Sequence, residues 1–270
     1  MKKQSIDFSK FSSIKIGASF EVSILEDCSA SYRDYYLIGS CNNLLIGTNP
    51  PPLLKLSKKY DYIKIEDNTL KIGAATPSGK IASFCKKHDI ANFEFLSHLP
   101  GTLGGLVFMN AGLKEYEIFN NLISITTCEG NFLKDEIKHG YRFTKITSPI
   151  LEAIFELESG FSKDRVELFK KMRQNQPSAP SAGSCFKNPQ GDYAGRLIEA
   201  VGLKGLRVGA MEFSKEHANF LVNHGGGTFD DAIYLIKEAQ RRVLNEFGIL
   251  LECEIAILDT NYMREVKTPN

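Results

Sequence analysis

The stretch from Pro100 to Gly112, PGTLGGLVFMNAG, constrains the fold more than any other part of this 270-residue chain. It contains four glycines and ends in Asn110-Ala111-Gly112. Glycines let the main chain approach a ligand closely, and successive N–H groups can form a concavity that holds a phosphate. No GK[ST] of a Walker loop follows, and the segment does not open a long helix after a strand as a Rossmann GxGxxG does. We expect an anion-holding loop of another fold, with a simple tight loop as the alternative.

Short strands dominate the sequence up to residue 160. The run YYLIGSCNNLLIG predicts strand, polar loop and strand, and YIKIEDNTLKIG predicts a hairpin that turns at Asp67-Asn68. Apolar residues at helical spacing predict a helix from about Ser78 to His88. Further strands are expected over 121–128 and 150–157. A sheet domain with one packed helix is therefore indicated.

The character of the sequence changes at Ser162, whose hydroxyl is expected to cap a helix. After it, helices are predicted over GRLIEAVGLKG and from Thr228 to Phe247, followed by an apolar strand over ILLECEIAIL. The polar tail 259–270 is expected to be poorly ordered. The predicted division of the chain is 1–60, 61–160, 161–258 and the tail, within the α+β fold class.

Charge and hydropathy exclude several function classes. Lysine plus arginine number 33 against 32 for aspartate plus glutamate, so no net field attracts nucleic acid or an anionic membrane. No run of about eighteen apolar residues occurs, and no apolar segment follows the N-terminal lysines. We expect a cytoplasmic protein that binds neither nucleic acid nor membrane.

Six cysteines are scattered through the chain without a CxxC pair or a matching histidine cluster. They are Cys28, Cys41, Cys85, Cys128, Cys185 and Cys253. We expect no zinc site, and no disulfides because thiols of a cytoplasmic protein stay reduced.

Two stretches bring together groups that can do chemistry. In SAGSCFKNP, Ser184 lies close to Lys187 and Asn188; it can act as a nucleophile, a proton donor or a turn hydroxyl, and no GxSxG elbow is present. In LLECEIAIL, Glu252 and Glu254 would share one face of a strand, because side chains repeat every second residue. The alternative for these carboxylates is the solvated face of an edge strand.

Two other polar stretches are weaker candidates. Arg142 in GYRFTKI offers a guanidinium suited to clamping a carboxylate or phosphate, although most arginines are ordinary surface residues. In SKEHANFLVN, His217 and Asn219 precede an apolar strand, where a supporting role is the more common one for histidine.

Together and in this order, these segments resemble the UDP-N-acetylenolpyruvoylglucosamine reductases of the shorter type, which lacks an extra substrate-covering insertion. The similarity runs from Ser13 to Leu258, and its most specific parts are PGTLGGLVFMNAG, GSCFKNP, AGRLIEAVGLKG, SKEHANFLVN and FGILLECEI. The resemblance implies a two-lobed FAD-binding module of the vanillyl-alcohol-oxidase/PCMH type, with subdomains at 1–60 and 61–160. A C-terminal α+β substrate-binding domain would follow at 161–258.

The resemblance also implies a reaction. NADPH would supply hydride, through noncovalently bound FAD, to the enolpyruvyl ether of UDP-N-acetylglucosamine enolpyruvate, which yields UDP-N-acetylmuramate for peptidoglycan. No ordinary side chain delivers hydride, so a reductase needs a redox cofactor. We expect a monomer.

The resemblance assigns roles residue by residue. Arg142 and Glu254 would stabilise the charge that develops on the substrate, and Ser184 would donate the proton. The expected cofactor-binding residues are Gly39, Ser40, Asn42, Asn43, Leu44, Pro100, Gly101, Thr102, Gly104, Gly105, Asn110, Ala111 and Gly112. The expected substrate-binding residues are Tyr141, Lys187, Asn188 and Asn219.

The sequence departs from the family pattern at two places. A phosphate loop that commonly has the sequence GGGSNLL is GSCNNLL here, from Gly39 to Leu45, and YRFTKI has Thr144 and Ile146 where serine and phenylalanine are usual. Ser40 and Asn42 can still donate hydrogen bonds, so flavin binding is expected to survive. Two other functions stay open: an FAD-dependent sugar or alcohol oxidase of the same fold, and a non-catalytic nucleotide-binding homologue.

Overall fold

The computed structural model describes residues 1–267. The strands are β1 (Lys2–Asp7), β2 (Ser19–Leu25), β3 (Tyr36–Ile38), β4 (Leu44–Ile46), β5 (Leu53–Leu56), β6 (Ile63–Glu66), β7 (Thr69–Gly73), β8 (Gly112–Leu113), β9 (Tyr116–Glu117), β10 (Leu122–Thr127), β11 (Gly130–Leu133), β12 (His139–Gly140), β13 (Phe143–Thr144), β14 (Ile150–Glu156), β15 (Ser181–Ser184), β16 (Arg207–Val208), β17 (Met211–Phe213), β18 (Phe220–Asn223) and β19 (Ala256–Leu258). The helices are α1 (Phe8–Phe11), α2 (Ser78–Lys87), α3 (Leu103–Phe108), α4 (Lys163–Met172), α5 (Ala194–Ala200), α6 (Phe229–Phe247) and α7 (Thr260–Lys267).

The chain forms two compact units, each assembled from several segments. The first unit comprises residues 1–4, 22–40 and 53–174, and the second comprises residues 5–21, 41–52 and the described residues from 175 onward. The units therefore interleave along the sequence. The division predicted from the sequence, into domains at 1–60, 61–160 and 161–258 with a tail at 259–270, stays a prediction.

An antiparallel five-stranded sheet, in the order β11-β10-β14-β7-β6, is the frame of the first unit. The expected hairpin is confirmed as β6 and β7, and both turn residues, Asp67 and Asn68, have the positive φ that a type I′ turn requires. Phe155 of β14 is fully buried and packs edge-to-face on Phe93, with the ring centroids 5.3 Å apart. Burying an aromatic side chain of this size stabilises a fold by roughly 1.5–3 kcal/mol.

A second sheet of the first unit contains the parallel pairs that lead to the cavity described below. Strand β5 lies between β2 and β3, which both run parallel to it. Tyr36 is opposite Leu53, and Ile38 is opposite Lys55. This pairing places the end of β3, immediately before Gly39, beside the middle of β5.

The second unit has the antiparallel sheet β15-β18-β17-β16 and the long helix α6. The predicted bounds of α6 are confirmed: Thr228 and Asp231 form a capping box, and Gly248 ends the helix in the left-handed conformation. Fully buried residues on one face of α6, including Leu235, Ile236 and Val243, join the core of this unit. Among residues 1–267, no helix is both long and apolar enough to cross a membrane.

Two predictions for the C-terminal region were wrong. The segment ILLECEIAIL is not one strand, because Cys253 forms only an isolated bridge with Phe186, and the chain bends before β19 pairs in parallel with β4. The tail is helical over α7, where Asp259 Oδ1 accepts hydrogen bonds from the N–H groups of Asn261 and Tyr262. Residues 268–270 of the predicted tail lie outside the described residues.

The expectation that all cysteines are reduced was also wrong. Cys28 and Cys128, separated by 100 residues, form a disulfide with their Cα atoms 5.3 Å apart. Cys28 follows β2 and Cys128 lies in the turn between β10 and β11, so the pairing depends on tertiary structure that no sequence spacing reveals. The remaining cysteines are reduced thiols: Cys41, Cys85, Cys185 and Cys253.

Replacing Cys28 with serine should lower the free energy of unfolding by about 2–5 kcal/mol, because a bond across a long loop restricts the unfolded chain. Urea denaturation without reductant measures the difference. In dithiothreitol the variant and the wild type should unfold alike. The reduced, half-buried Cys253, replaced by serine, is the control, and its effect should not depend on reductant. An equal loss for Cys28→Ser with and without reductant would contradict the disulfide.

Candidate functional site

A cavity of about 460 Å³ opens within the first unit. This volume is within the range of about 300–1,000 Å³ that small-molecule sites occupy. Its walls come from the loop before β3 and from β3, from β5, from the ends of β7 and α3, and from the segment before β14. The lining residues are Tyr32, Arg33, Tyr35, Tyr36, Leu37, Ile38, Gly39, Leu54, Lys55, Leu56, Ala74, Ala75, Thr102, Gly104, Gly105, Phe108, Glu129, Ile146, Thr147, Ser148, Pro149 and Ile150.

Three predicted cofactor-binding glycines line this cavity, and a side chain would have a different effect at each of them. A Cβ on Gly39 would lie 2.7 Å from Thr102 Oγ1, so this glycine permits a close approach of two wall segments. Gly104 packs against β7, since its N–H donates to Ala74 O at 2.8 Å and a Cβ would lie 3.1 Å from Ala74 Cβ. A Cβ on Gly105 would meet only Thr102 Oγ1, at 3.8 Å, so a side chain there would extend into the cavity.

The other expected cofactor-binding residues lie in several places. Thr102 lines the cavity, Pro100 is exposed, and Gly101 accepts a hydrogen bond from Ser78 N–H at 2.9 Å. Ser40 is the half-buried last residue of its segment of the first unit.

Asn42, Asn43 and Leu44 belong to the second unit. Asn42 is half-buried, Asn43 Nδ2 donates to Glu254 O at 2.9 Å, and Leu44 is a buried residue of β4 opposite Ala256. At least two of these residues therefore support main-chain structure beside a candidate catalytic residue.

Among the cavity residues that the sequence analysis did not assign to a site, four lie close to one another. Tyr32 Oη lies 3.4 Å from Ser148 Oγ and 3.5 Å from Glu129 Oε1, and Arg33 Nη2 lies 3.3 Å from the same carboxylate oxygen. Both Tyr32 and Arg33 belong to SYRDYY, which contains three tyrosines and an arginine and ends at Tyr36, the first residue of β3. Such a cluster of aromatic and cationic residues is the signal that could have identified this wall.

Arg142 is in the two-residue turn that joins β12 to β13. Its φ of 58° is left-handed, which is uncommon for a residue other than glycine. The half-buried guanidinium donates to Gly112 O at 2.7 Å and to Asn110 O at 3.5 Å, and it lies 5.1 Å from the centroid of the exposed Tyr141 ring. The turn therefore holds the cation against the main chain of the glycine-rich segment.

The last three residues of the glycine-rich segment, 110–112, lie against the turn that carries Arg142. Asn110 is fully buried, and Gly112 is the first residue of β8. Half-buried Ala111 receives a hydrogen bond from Ile118 N–H and donates its own N–H to Leu106 O. These residues contact the protein itself in the structure, so their expected contact with a cofactor stays a prediction.

In the second unit, Asn219 fixes the segment that follows Ser184. Its side-chain Oδ1 accepts from Phe186 N–H at 3.0 Å, and its Nδ2 donates to Phe186 O at 2.8 Å. Its main-chain O accepts from Cys185 N–H at 2.7 Å, and half-buried Ser184 is opposite Phe220 in the β15–β18 pairing. The buried amide of Asn219 is thus occupied by main-chain groups, which makes it a support for the serine-bearing strand.

Glu254 lies beside the same segment. Its N–H donates to Cys185 O at 2.9 Å, so the main chain of the candidate carboxylate is held next to the residue that follows Ser184. Lys187 N–H donates to Glu252 O, and Lys187 Nζ lies 2.5 Å from Glu252 Oε1. The structure therefore brings the GSCFKNP and ECE motifs together.

Further features complete the site in this unit. Asn188 Oδ1 accepts from Ala194 N–H at 3.1 Å, at the start of α5. Burial raises the pKa of the fully buried Cys185 thiol well above its usual range, so this neighbour of Ser184 stays protonated. For His217, burial has the opposite effect and lowers the pKa, and the ring Nδ1 accepts from Asn219 N–H. Within residues 1–267, no group of three or more His, Cys, Asp or Glu side chains is placed to hold a metal ion.

Comparisons with known proteins identify the family to which this chain belongs. Residues 175–258 match the family model for the UDP-N-acetylenolpyruvoylglucosamine reductase C-terminal domain. The chain is 46% identical over 258 residues to the UDP-N-acetylenolpyruvoylglucosamine reductase of Campylobacter jejuni strain RM1221, which covers 94% of this chain and 99% of the relative. It is 44% identical over 259 residues to the enzyme of the same name from Helicobacter pylori strain J99, covering 96% of this chain and 100% of that relative.

A solved structure supports the same conclusion about the fold. The crystal structure of UDP-N-acetylenolpyruvylglucosamine reductase from Thermus caldophilus matches with a TM-score of 0.84 and 27% identity. The match covers 96% of this chain and 99% of that one. The expected α+β fold class is confirmed.

Proposed function

Because this chain belongs to the UDP-N-acetylenolpyruvoylglucosamine reductase family, we propose that it reduces UDP-N-acetylglucosamine enolpyruvate to UDP-N-acetylmuramate with NADPH and noncovalently bound FAD. The observation that supports it best is the juxtaposition of the GSCFKNP and ECE segments, held together by the Cys185–Glu254 and Lys187–Glu252 hydrogen bonds. The reaction would serve cytoplasmic synthesis of peptidoglycan precursors.

We propose the cavity of the first unit as the flavin site. Its wall carries aromatic side chains, including Tyr36 and Phe108, which suit the flat rings of a dinucleotide. Gly105 leaves space at the cavity wall, into which a large side chain at this position would extend. Bound FAD would supply the path by which hydride passes from NADPH to the enolpyruvyl carbon.

Replacing Gly105 with leucine should abolish flavin binding, because the new side chain would occupy the cavity. The measurement is the ratio of visible to protein absorption in the purified variant, with thermal unfolding to show that it folds. Gly79→Leu is the matched control, since Gly79 is also helical and a Cβ there meets no atom within 4 Å. A Gly105→Leu protein that retains stoichiometric flavin would place the cofactor outside this cavity.

Arg142 is proposed to stabilise the negative charge that develops next to the substrate carboxylate. A guanidinium always carries its charge and can donate parallel hydrogen bonds to a carboxylate. Hydrogen bonds to Gly112 O and Asn110 O fix its direction before substrate binds, which is the condition for electrostatic stabilisation without reorganisation. Tyr141, on the same turn, is proposed to contact the substrate.

Ser184 is proposed to donate the proton to the carbon next to the ether oxygen, and Glu254 to support the charge that forms there. A serine hydroxyl is a weak acid, but a carbanion-like centre is a strong base, so the transfer is feasible. The adjacent thiol does not compete, because Cys185 is fully buried.

The other residues of the GSCFKNP motif are proposed to bind the sugar nucleotide. The Lys187 side chain is held by an ion pair with Glu252, and the Asn188 side chain is held by the N–H of Ala194 at the start of α5. Asn219 is proposed to support substrate binding indirectly, by holding the main chain of Phe186 within this motif.

The proposal is tested by anaerobic visible spectroscopy of the purified protein. NADPH should bleach the flavin absorption, and UDP-N-acetylglucosamine enolpyruvate should restore it rapidly. Bleaching that only oxygen reverses would favour the sugar or alcohol oxidase. A protein that takes up no flavin would favour the non-catalytic homologue.

A Ser184→Ala variant should separate the two halves of the reaction. NADPH should bleach its flavin at the wild-type rate, whereas recovery on adding the enolpyruvyl substrate should slow by about 10²–10⁴-fold, because a positioned proton donor contributes that much. Stopped-flow absorption measures both rates. Ser181→Ala, at the other end of β15, is the control and should recover normally. Equal recovery rates for the two variants would remove Ser184 from the chemistry.

A further inference from the structure

Asn110 makes a set of hydrogen bonds that its predicted role in cofactor binding does not explain. Its side chain is fully buried, and its φ of 44° is left-handed. Nδ2 donates to Glu117 Oε2 at 2.7 Å and to Gly140 O at 3.2 Å, while Oδ1 accepts from Phe119 N–H at 3.4 Å. Because Glu117 Oε2 and Gly140 O are both acceptors, only the amide nitrogen satisfies them, and the orientation of the side chain is fixed.

The Gly140 end of this network belongs to the turn that carries Arg142. Gly140 is the last residue of β12, two positions before Arg142. The guanidinium returns to the same segment, donating to the main-chain O of Asn110 and of Gly112. Asn110 therefore contacts the turn twice: its side chain holds the strand that leads into the turn, and its carbonyl receives the cation.

The position of Glu117 is fixed as well. Glu117 lies in β9 opposite Gly112 of β8, and a Cβ on Gly112 would lie 2.8 Å from Glu117 Cα. This close pairing keeps the Glu117 carboxylate within hydrogen-bonding distance of the Asn110 amide. It also keeps Gly112 O within hydrogen-bonding distance of the Arg142 guanidinium. A charged acceptor forms a stronger hydrogen bond than a neutral one, so Glu117 is suited to hold one amide N–H while the other points at Gly140 O.

We propose that Asn110 and Glu117 are positioning residues that set the direction of the Arg142 guanidinium, an inference that rests on the proposed role of Arg142 in the reaction. The fully buried Asn110 side chain and the Glu117 carboxylate that accepts from it act through the protein and not on the substrate. Glu117 orients the amide of Asn110, the amide fixes Gly140, and the turn delivers the cation in one direction. Loss of this chain of contacts would leave a flavoprotein whose Arg142 is present but misdirected.

The first test is Asn110→Asp, which suits the left-handed backbone but removes both amide donors. It should lower kcat about ten- to a hundredfold, because small misplacements of a catalytic group have effects of that size. KM and flavin content should change much less. Asn120→Asp is the matched control: Asn120 also donates from Nδ2 to a main-chain carbonyl, that of Glu115 at 2.7 Å, but is exposed. An equal fall in kcat for the control would overturn the proposal.

A second pair of variants covers the case in which the Asn110→Asp substitution is not tolerated beside the Glu117 carboxylate. Glu117→Ala should lower kcat, and Glu117→Gln, whose side-chain oxygen can still accept from Asn110, should restore most of it. Equal kcat values for these two variants would overturn the proposal.

The decisive measurement is a double-mutant cycle with Arg142→Ala, run with Asn110→Asp and with Glu117→Ala. If the two residues act through the guanidinium, each substitution should change the kcat of Arg142→Ala by less than about twofold, because coupled positions are not additive. Full, additive losses in that background would overturn this inference alone. A wild-type kcat for Arg142→Ala itself would overturn the proposed role of Arg142, and this inference with it.

Discussion

Buried asparagine amides replace main-chain partners at the points where strands end, and the candidate catalytic segments depend on them. Asn219 pairs with both polar main-chain atoms of Phe186, as a neighbouring strand would. Asn223 accepts from the N–H groups of Gly225 and Gly227 and donates to Ile14 O, each at 2.9 Å. An unsatisfied buried polar group costs about 1–3 kcal/mol, so these side chains keep irregular backbone inside the core at low cost. Asn110 does the same for the Arg142 turn.

The periodicity of the sequence was sufficient to predict elements whose boundaries are set locally. The α6 helix has a capping box at one end and a left-handed glycine at the other, both written in the sequence. The β6–β7 hairpin is set by two turn residues that tolerate positive φ. Where an element depends on its partner, the pattern failed. The apolar run ILLECEIAIL has strand composition, yet only Ala256–Leu258 finds a continuous partner, in β4.

In the candidate site, too, the motifs could be found from the sequence, whereas the contacts between distant segments could not. The resemblance singled out the segments that contain Ser184 and Glu254, and main-chain hydrogen bonds join these two segments in the structure. The cavity wall formed by Tyr32, Glu129 and Ser148, and the nearby disulfide, join residues about a hundred positions apart. Such contacts follow from the pairing order of strands, which the sequence of one chain does not state. Asn110 belongs to a motif that the sequence analysis recognised, but the hydrogen bonds of its fully buried amide to Glu117, Gly140 and Phe119 could not be predicted from that motif.

The altered loop GSCNNLL carries a cysteine with a left-handed backbone at a position where the common family pattern has glycine. Cys41, which stands where the common pattern has glycine, has a φ of 53°. A left-handed residue with a side chain costs roughly 1–2 kcal/mol, and burial of the Cys41 thiol against the core offsets much of it. Cys41 O accepts from Ser13 N–H at 3.1 Å, and Asn43 O accepts from Ala256 N–H, so neighbours on both sides hold the loop. The cysteine therefore adds a side chain at a position whose left-handed backbone glycine adopts more easily.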